Sequence, residues 1–224
     1  MPYLALASDY DGTLATEGKV DRKTLVALEH LRQSGRKIIL ITGRELEELL
    51  QVFPQINLCD LVVAENGALL YNPATGSETI LGEPPPKAFI EALRSQGVQP
   101  LSVGRVILAT WQPHENTVID TIRDFGLNLE VIFNKKAVML LPTGVDKASG
   151  LLIALKELGL YPNQTVGIGD AENDLAFLKL CHYSVAVANA LPSLKKQVTL
   201  VTNESRGAGV CELIDKIITS DNIF

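Results

Sequence analysis

Short apolar runs alternate with amphipathic stretches through the first third of the chain. Residues 4–8 and 37–42 are mostly apolar and bounded by polar or glycine positions, the pattern of strands buried on both faces. Between them, residues 21–34 place Leu25, Leu28 and Leu31 at helical spacing, and Gly35 supplies the stop. Residues 45–53 repeat the helical pattern up to Pro54, and residues 61–64 form another buried run. The spacing predicts β-α-β-α-β, hence a parallel sheet in an α/β fold.

The register then changes. Leu69-Leu70-Tyr71 and Thr79-Ile80-Leu81, separated by Asn72-Pro73-Ala74-Thr75-Gly76, predict a hairpin. Pro84-Pro85-Pro86 follows as a stiff connector. Beyond it the pattern reads as a helix (87–96), strands (98–103, 105–111), a helix (115–125) and strands (129–133, 137–141), with Asn134-Lys135 in the last turn. That αββαββ order predicts a four-stranded sheet backed by two helices. Parallel alternation resumes with a helix (147–158), a strand (165–168), a helix after Asn173, short strands (185–187, 199–201) and a helix (209–218). The expected division is a core domain of residues 1–82 and 143–224 with a small α+β domain, 83–142, inserted in it.

Composition narrows the functional classes. Of 224 residues, 20 are Lys or Arg and 26 are Asp or Glu, a net charge of −6 that disfavours a generic nucleic-acid binder. Cys59, Cys181 and Cys211 are scattered and form no C-x-x-C pair, which argues against a disulfide framework or thiolate metal site. No apolar run of about 18 residues occurs, and the start lacks a secretory pattern, so a cytoplasmic protein without a membrane partner is expected.

Four segments carry candidate chemistry. In Asp9-Tyr10-Asp11-Gly12-Thr13, strand alternation puts Asp9 and Asp11 on one side. Two carboxylates that close imply a bound metal or a proton donor, and Gly12 lets the chain turn and an N–H approach a ligand; the plain alternative is an Asp-Gly turn. In Ile41-Thr42-Gly43-Arg44, a hydroxyl and a glycine N–H form an oxygen-binding notch, unless Thr42 only caps the next helix. Lys147, in a first helical turn, opposes the helix dipole unless an anion is near; otherwise it is a solvated lysine. In Gly169-Asp170-Ala171-Glu172-Asn173-Asp174, helical spacing would bring Asp170 and Asp174 together at a helix start, an oxygen-rich corner suited to Mg²⁺ or simply favourable to the dipole. All four segments fall just beyond the carboxyl ends of predicted parallel strands, where open α/β sheets place ligands.

In this order the segments resemble the haloacid dehalogenase-like phosphohydrolases, whose motifs are D-x-D-x-T, a Ser/Thr after the second strand, a Lys, and G-D-x-x-N-D. The insert resembles the IIB cap of Cof-like enzymes, in a compact form similar to archaeal-type phosphoglycolate and sucrose-phosphate phosphatases. Further likeness lies in Glu65-Asn66-Gly67-Ala68, Asp146-Lys147 and Asn189-Ala190. The resemblance implies a Rossmann-like doubly wound core. It implies Asp9 as nucleophile forming an aspartyl phosphate, Asp11 as general acid and base, and Mg²⁺ held by Asp9, Asp11 through its main-chain carbonyl, and Asp170. Asp174 is counted in the metal set and Asn173 in the phosphate set, both as supports. Thr42, Lys147, Gly12 and Gly43 would hold phosphate oxygens. Asn66 would face the substrate, and Arg44 would either reach the same cleft or pair with Glu47 or Glu48. The cap would select the substrate, a small phosphate ester, with Arg105, Trp111, His114 and Lys135 as candidates and simple packing as the alternative for Trp111. A phosphomutase, a regulatory domain without catalysis and a phospho-acceptor domain are the competing functions. The last has a different motif order, and a dehalogenase lacks the second carboxylate supplied here by Asp11. Monomer and dimer remain equally open.

Overall fold

The computed structural model describes residues 3–134 and 136–219. The expected alternation opens the chain: β1 (Ala5–Asp9), α1 (Arg22–Gln33), β2 (Lys37–Ile41), α2 (Leu46–Val52) and β3 (Leu61–Ala64), then the hairpin β4 (Leu69–Asn72) and β5 (Ser77–Ile80). α1 starts where the Asp21 carboxylate accepts the Thr24 N–H at 2.9 Å, and it buries Leu28 and Leu31. Next come α3 (Lys87–Ser95), β6 (Ser102–Val103), β7 (Leu108–Trp111), α4 (Glu115–Asp124), β8 (Leu129–Asn134) and β9 (Ala137–Pro142). The chain closes with α5 (Lys147–Glu157), β10 (Thr165–Gly169), α6 (Leu175–Leu180), β11 (Tyr183–Ala186), α7 (Pro192–Lys195), β12 (Leu200–Val201) and α8 (Arg206–Thr219).

Two sheets result. The larger has the order β12-β11-β10-β1-β2-β3-β4-β5, parallel from β12 to β3 and antiparallel through the hairpin. β1 is flanked by β2 on one side and by β10 on the other, so the strand order reverses there. This is the switch point at which an open parallel sheet leaves a crevice beyond its carboxyl ends. The smaller sheet, β6-β7-β9-β8, is antiparallel throughout. One face packs Leu108 and Leu140 against Phe89, Leu93 and Val118 of α3 and α4. The other meets the large sheet's side of the molecule through Val106, Ile107, Met139 and Leu141 packed on Ala68. No helix among the described residues is long and apolar enough to cross a membrane.

The strands expected at 98–103 and 105–111 are shorter than their apolar pattern. Pro100 has no N–H to give a ladder, and the N–H groups of Arg105, Val106 and Ile107 are taken by the Glu65 side chain rather than by a neighbouring strand. α7 was not anticipated, and the Lys135 part of the expected turn lies outside the described residues.

α5 lies unusually near the sheet, because a Cβ on Gly150 would stand 2.5 Å from Val63 Cγ1 and 2.9 Å from Gly67 Cα. Gly150→Ala should gain about 1 kcal/mol of helix propensity, while overpacking costs about 1–3 kcal/mol, so a net loss is expected. Urea unfolding checks this by a lower midpoint at unchanged slope; an unmoved or raised midpoint would show that the interface yields.

Candidate active site

The carboxyl ends of β1, β2 and β10 bring Asp9, the Thr42–Arg44 segment and Asp170 around one crevice, and α5 points its first residue, Lys147, into it. Capping fixes that helix start: Asp146 accepts the Ser149 N–H at 2.7 Å, and the Ser149 hydroxyl receives the Asp146 N–H at 3.0 Å. Lys147 is only 2% exposed, and its ammonium donates to Asp9 Oδ1 and to Asp174 Oδ1, each at 2.6 Å. It is therefore not a solvated lysine, and two carboxylates offset its unfavourable place at a helix start.

Asp9, Asp170 and Asp174 each present a carboxylate oxygen within 4.8 Å of the others. Three carboxylates against one ammonium leave an excess of two negative charges, the charge of a divalent cation. Asp9 Oδ2 is buried with no protein partner, although most buried oxygens find one. Burial pushes the Asp9 carboxyl up to about 8, Asp174 adds to the rise, and Lys147 opposes it incompletely. Burial alone would lower the Lys147 ammonium, but Asp174 and Asp9 hold it above its ordinary value. An orphaned carboxylate oxygen in an oxygen-only cluster fits Mg²⁺.

Several sequence expectations change in detail. Asp170 and Asp174 do not share a helical face: Glu172–Asp174 is a 3₁₀ turn, and Asp174 folds back so that Oδ2 accepts the N–H groups of Asp170 at 2.9 Å and Ala171 at 3.0 Å. With Oδ1 on Lys147, both Asp174 oxygens are engaged, which makes it a support rather than a ready ligand. Asp9 and Asp11 both line the cavity, but they do not lie along one strand. β1 ends at Asp9, and Asp11 lies in the following turn, paired with Arg44 at 2.6 Å and 2.8 Å. Arg44 also pairs with Glu48 and lies over the Tyr10 ring, 5.7 Å from its centroid, so it serves the cleft and the surface together. The Gly12 N–H, expected to meet phosphate, donates instead to Ala15 O at 3.1 Å. What Gly12 provides is space: φ is +88°, and a Cβ there would stand 2.4 Å from Asp170 Oδ2. Thr42 does not cap α2, whose N-cap is Glu45; its hydroxyl oxygen accepts the Arg44 N–H at 3.1 Å.

A cavity of about 290 Å³ opens on this cluster, walled by Asp9, Asp11, Gly43, Lys147, Asp170 and Asn173 below. Asn66, buried behind Gly43, holds its Oδ1 3.5 Å from Asn173 Nδ2. The small sheet forms the roof with Ala109, Trp111, Ala137 and Met139. The polar residues expected to select there point elsewhere. Arg105 bonds Glu78 at 3.0 Å and also pairs with Glu47, His114 Nε2 meets Gln99 O at 3.0 Å, and Lys135 lies outside the described residues. Of the described candidates, Trp111, half exposed, reaches the cavity.

Two supporting residues were not assigned roles from sequence. Asn189 donates to Gly12 O at 2.8 Å and accepts the Arg206 N–H at 2.7 Å, tying the Asp11–Gly12 turn to the start of α8. Glu65 is fully buried and accepts from the small unit's backbone. Their signal in the sequence was the family likeness of Glu65-Asn66-Gly67-Ala68 and Asn189-Ala190, which carried no role for either side chain.

A family model described as haloacid dehalogenase-like hydrolase matches residues 6–101 and 129–214. A phosphoglycolate phosphatase of Methanothermobacter thermautotrophicus is 32% identical over 96% of this chain and 98% of its own length. Phosphoglycolate phosphatase 2 of Saccharolobus solfataricus is 29% identical over 97% and 94%. Among solved structures, a haloacid dehalogenase-like hydrolase from Bacteroides thetaiotaomicron shares the fold with a TM-score of 0.77 at 19% identity, covering 96% of this chain and 99% of that one.

In metal-free protein the folded Asp9 titrates near 8 and the unfolded one near its ordinary value of about 4, so the folded state binds the extra proton between them. Stability from this carboxyl should therefore be present at low pH and be lost as pH rises from about 4 through 8. Urea unfolding in EDTA at pH 5.5 and pH 8 should show that loss, and Asp9→Asn should flatten it; equal slopes in both proteins would contradict it.

Proposed function

The chain belongs to the haloacid dehalogenase-like hydrolases, and on that footing we propose that it is a Mg²⁺-dependent phosphomonoesterase working through an aspartyl phosphate on Asp9. The observation that carries this reading is the state of Asp9: a buried carboxyl at a cavity wall, one oxygen fixed by Lys147 and the other without a protein partner. Asp9 attacks phosphorus, the ester P–O bond breaks, and the leaving alkoxide takes a proton from the Asp11 carboxyl. Water then attacks the aspartyl phosphate, gives its proton to Asp11, and releases inorganic phosphate with Asp9 restored.

Asp11 must leave Arg44 to do this, and its half-exposed place in a turn allows the movement. Lys147 and the Gly43 N–H, with Thr42 behind, offset charge on the phosphoryl oxygens. Asp9 and Asp170, together with the Asp11 main-chain carbonyl, would hold Mg²⁺, and Asp174 and Asn173 support them. When bound, the ion supplies positive charge that lets an anionic nucleophile approach a phosphate dianion.

The small unit, residues 83–142, acts as a cap over this floor. Its apolar roof and the modest cavity suit a small ester, phosphoglycolate or a sugar phosphate, the first being the activity named for the two archaeal relatives.

Phosphate release from a panel of metabolite phosphates and p-nitrophenyl phosphate, with Mg²⁺ and with EDTA, tests this. Turnover should need the metal, fall by roughly 10³-fold or more in Asp9→Asn, and fall by about 10²–10⁴ in Asp11→Asn. Absence of turnover on every ester by folded, Mg²⁺-binding protein would overturn the phosphatase reading in favour of a mutase or regulatory role.

A further inference from the structure

Glu65, Asn66 and Gly67 form a turn in which all three residues have positive φ, 51°, 55° and 110°, a run that L-residues adopt only when surrounding contacts demand it. Each residue faces a different part of the molecule. The main-chain N–H groups of Glu65 and Asn66 donate to Arg44 O at 3.0 Å and Thr42 O at 2.9 Å, on the phosphate-facing segment. Gly67 is pressed against the start of α5, where a Cβ would stand 1.9 Å from Asp146 O, one residue before Lys147. The turn is thus fixed to the catalytic floor.

The Glu65 side chain turns the other way. It is fully buried, and its Oε1 accepts the Arg105 N–H at 2.7 Å while Oε2 accepts those of Val106 at 2.8 Å and Ile107 at 3.0 Å. Gly104 makes the approach possible, because a Cβ there would lie 2.7–2.8 Å from the Glu65 carboxylate atoms. β7 starts at Leu108, immediately after this gripped segment, and carries Ala109 and Trp111 to the cavity roof.

We propose that Glu65 is a positioning residue that sets the register of the cap roof against the catalytic floor, acting on the substrate through Ala109 and Trp111. This rests on the reading of the crevice as a phosphatase site with residues 83–142 as its cap. The apolar joint of Ala68, Val106, Ile107 and Met139 lies beside the grip, so the two means of seating the cap must be separated by experiment.

Glu65→Gln keeps size and burial but offers an NH₂ group to donors that need an acceptor. Gly104→Ala disturbs the same contact from the cap side and leaves Glu65 intact. With Mg²⁺ present, each variant should raise KM for the best ester by roughly tenfold or more, the loss expected for hydrogen bonds to a charged group. The inhibition constant of inorganic phosphate, which needs only the floor, should stay within about twofold, and amide exchange at 105–107 should quicken by about tenfold or more. The double variant should be no worse than the worse single one, since both break one contact.

A KM unchanged despite faster exchange, exchange unchanged in both variants, or a phosphate inhibition constant rising in step with KM would each overturn the proposal. A wild type that hydrolyses no ester counts instead against the phosphatase reading, and the exchange rates then decide the grip by themselves.

Discussion

The shared ammonium of Lys147 is the constraint on which the rest of the site depends. A buried lysine is costly unless paired, and here its partners come from β1 and from the turn after β10, on the two sides of the sheet's switch point. Removing either carboxylate would leave Lys147 with one partner instead of two, and removing the lysine would leave buried carboxylates in mutual repulsion. Asp174 has the larger structural duty, because it also satisfies the N–H groups that open the chain after β10. Asp9 keeps one buried oxygen without a protein partner, which is why the proposed chemistry is placed on it.

Much of this was legible in the sequence because period and punctuation report burial directly. The apolar runs of β1, β2 and β3 and the leucine spacing of α1 announce a parallel α/β sheet, and they place Asp9, Thr42 and Asp170 where its strands end. Orientation was less legible. Strand alternation put Asp11 on the side of Asp9, and both line the cavity, but β1 stops two residues before Asp11, and Arg44, distant in sequence, takes up both Asp11 oxygens. Asp170 and Asp174 do come together, but through a 3₁₀ turn that lets Asp174 cap the backbone before α6 begins, not through helical spacing.

Glu65 shows why the remainder was hidden. A glutamate next to Asn-Gly reads as an exposed loop residue, since glutamates are seldom fully buried without partners. Its partners are three backbone N–H groups some 40 residues further on, and backbone donors have no side-chain signature. The same bonds explain why the apolar run before Leu108 is not a strand. The cap's polar side chains misled in the opposite sense. Arg105 looked like a substrate contact, yet it pairs with Glu47 and Glu78 and does not line the cavity.

Residues 83–142 leave the large sheet and return to it through one narrow junction. At the junction Gly82 lies so near the returning segment that a Cβ would stand 3.1 Å from Pro142 Cγ and 3.2 Å from Val145 Cγ2. The chain therefore leaves and re-enters the core at almost one point, and the loop between is tied to the large sheet further through Glu65, Ala68 and the ion pairs of Arg105. Closure entropy grows only slowly with loop length. Length changes remote from those ties would therefore disturb the placement of Asp9, Lys147 and Asp170 little.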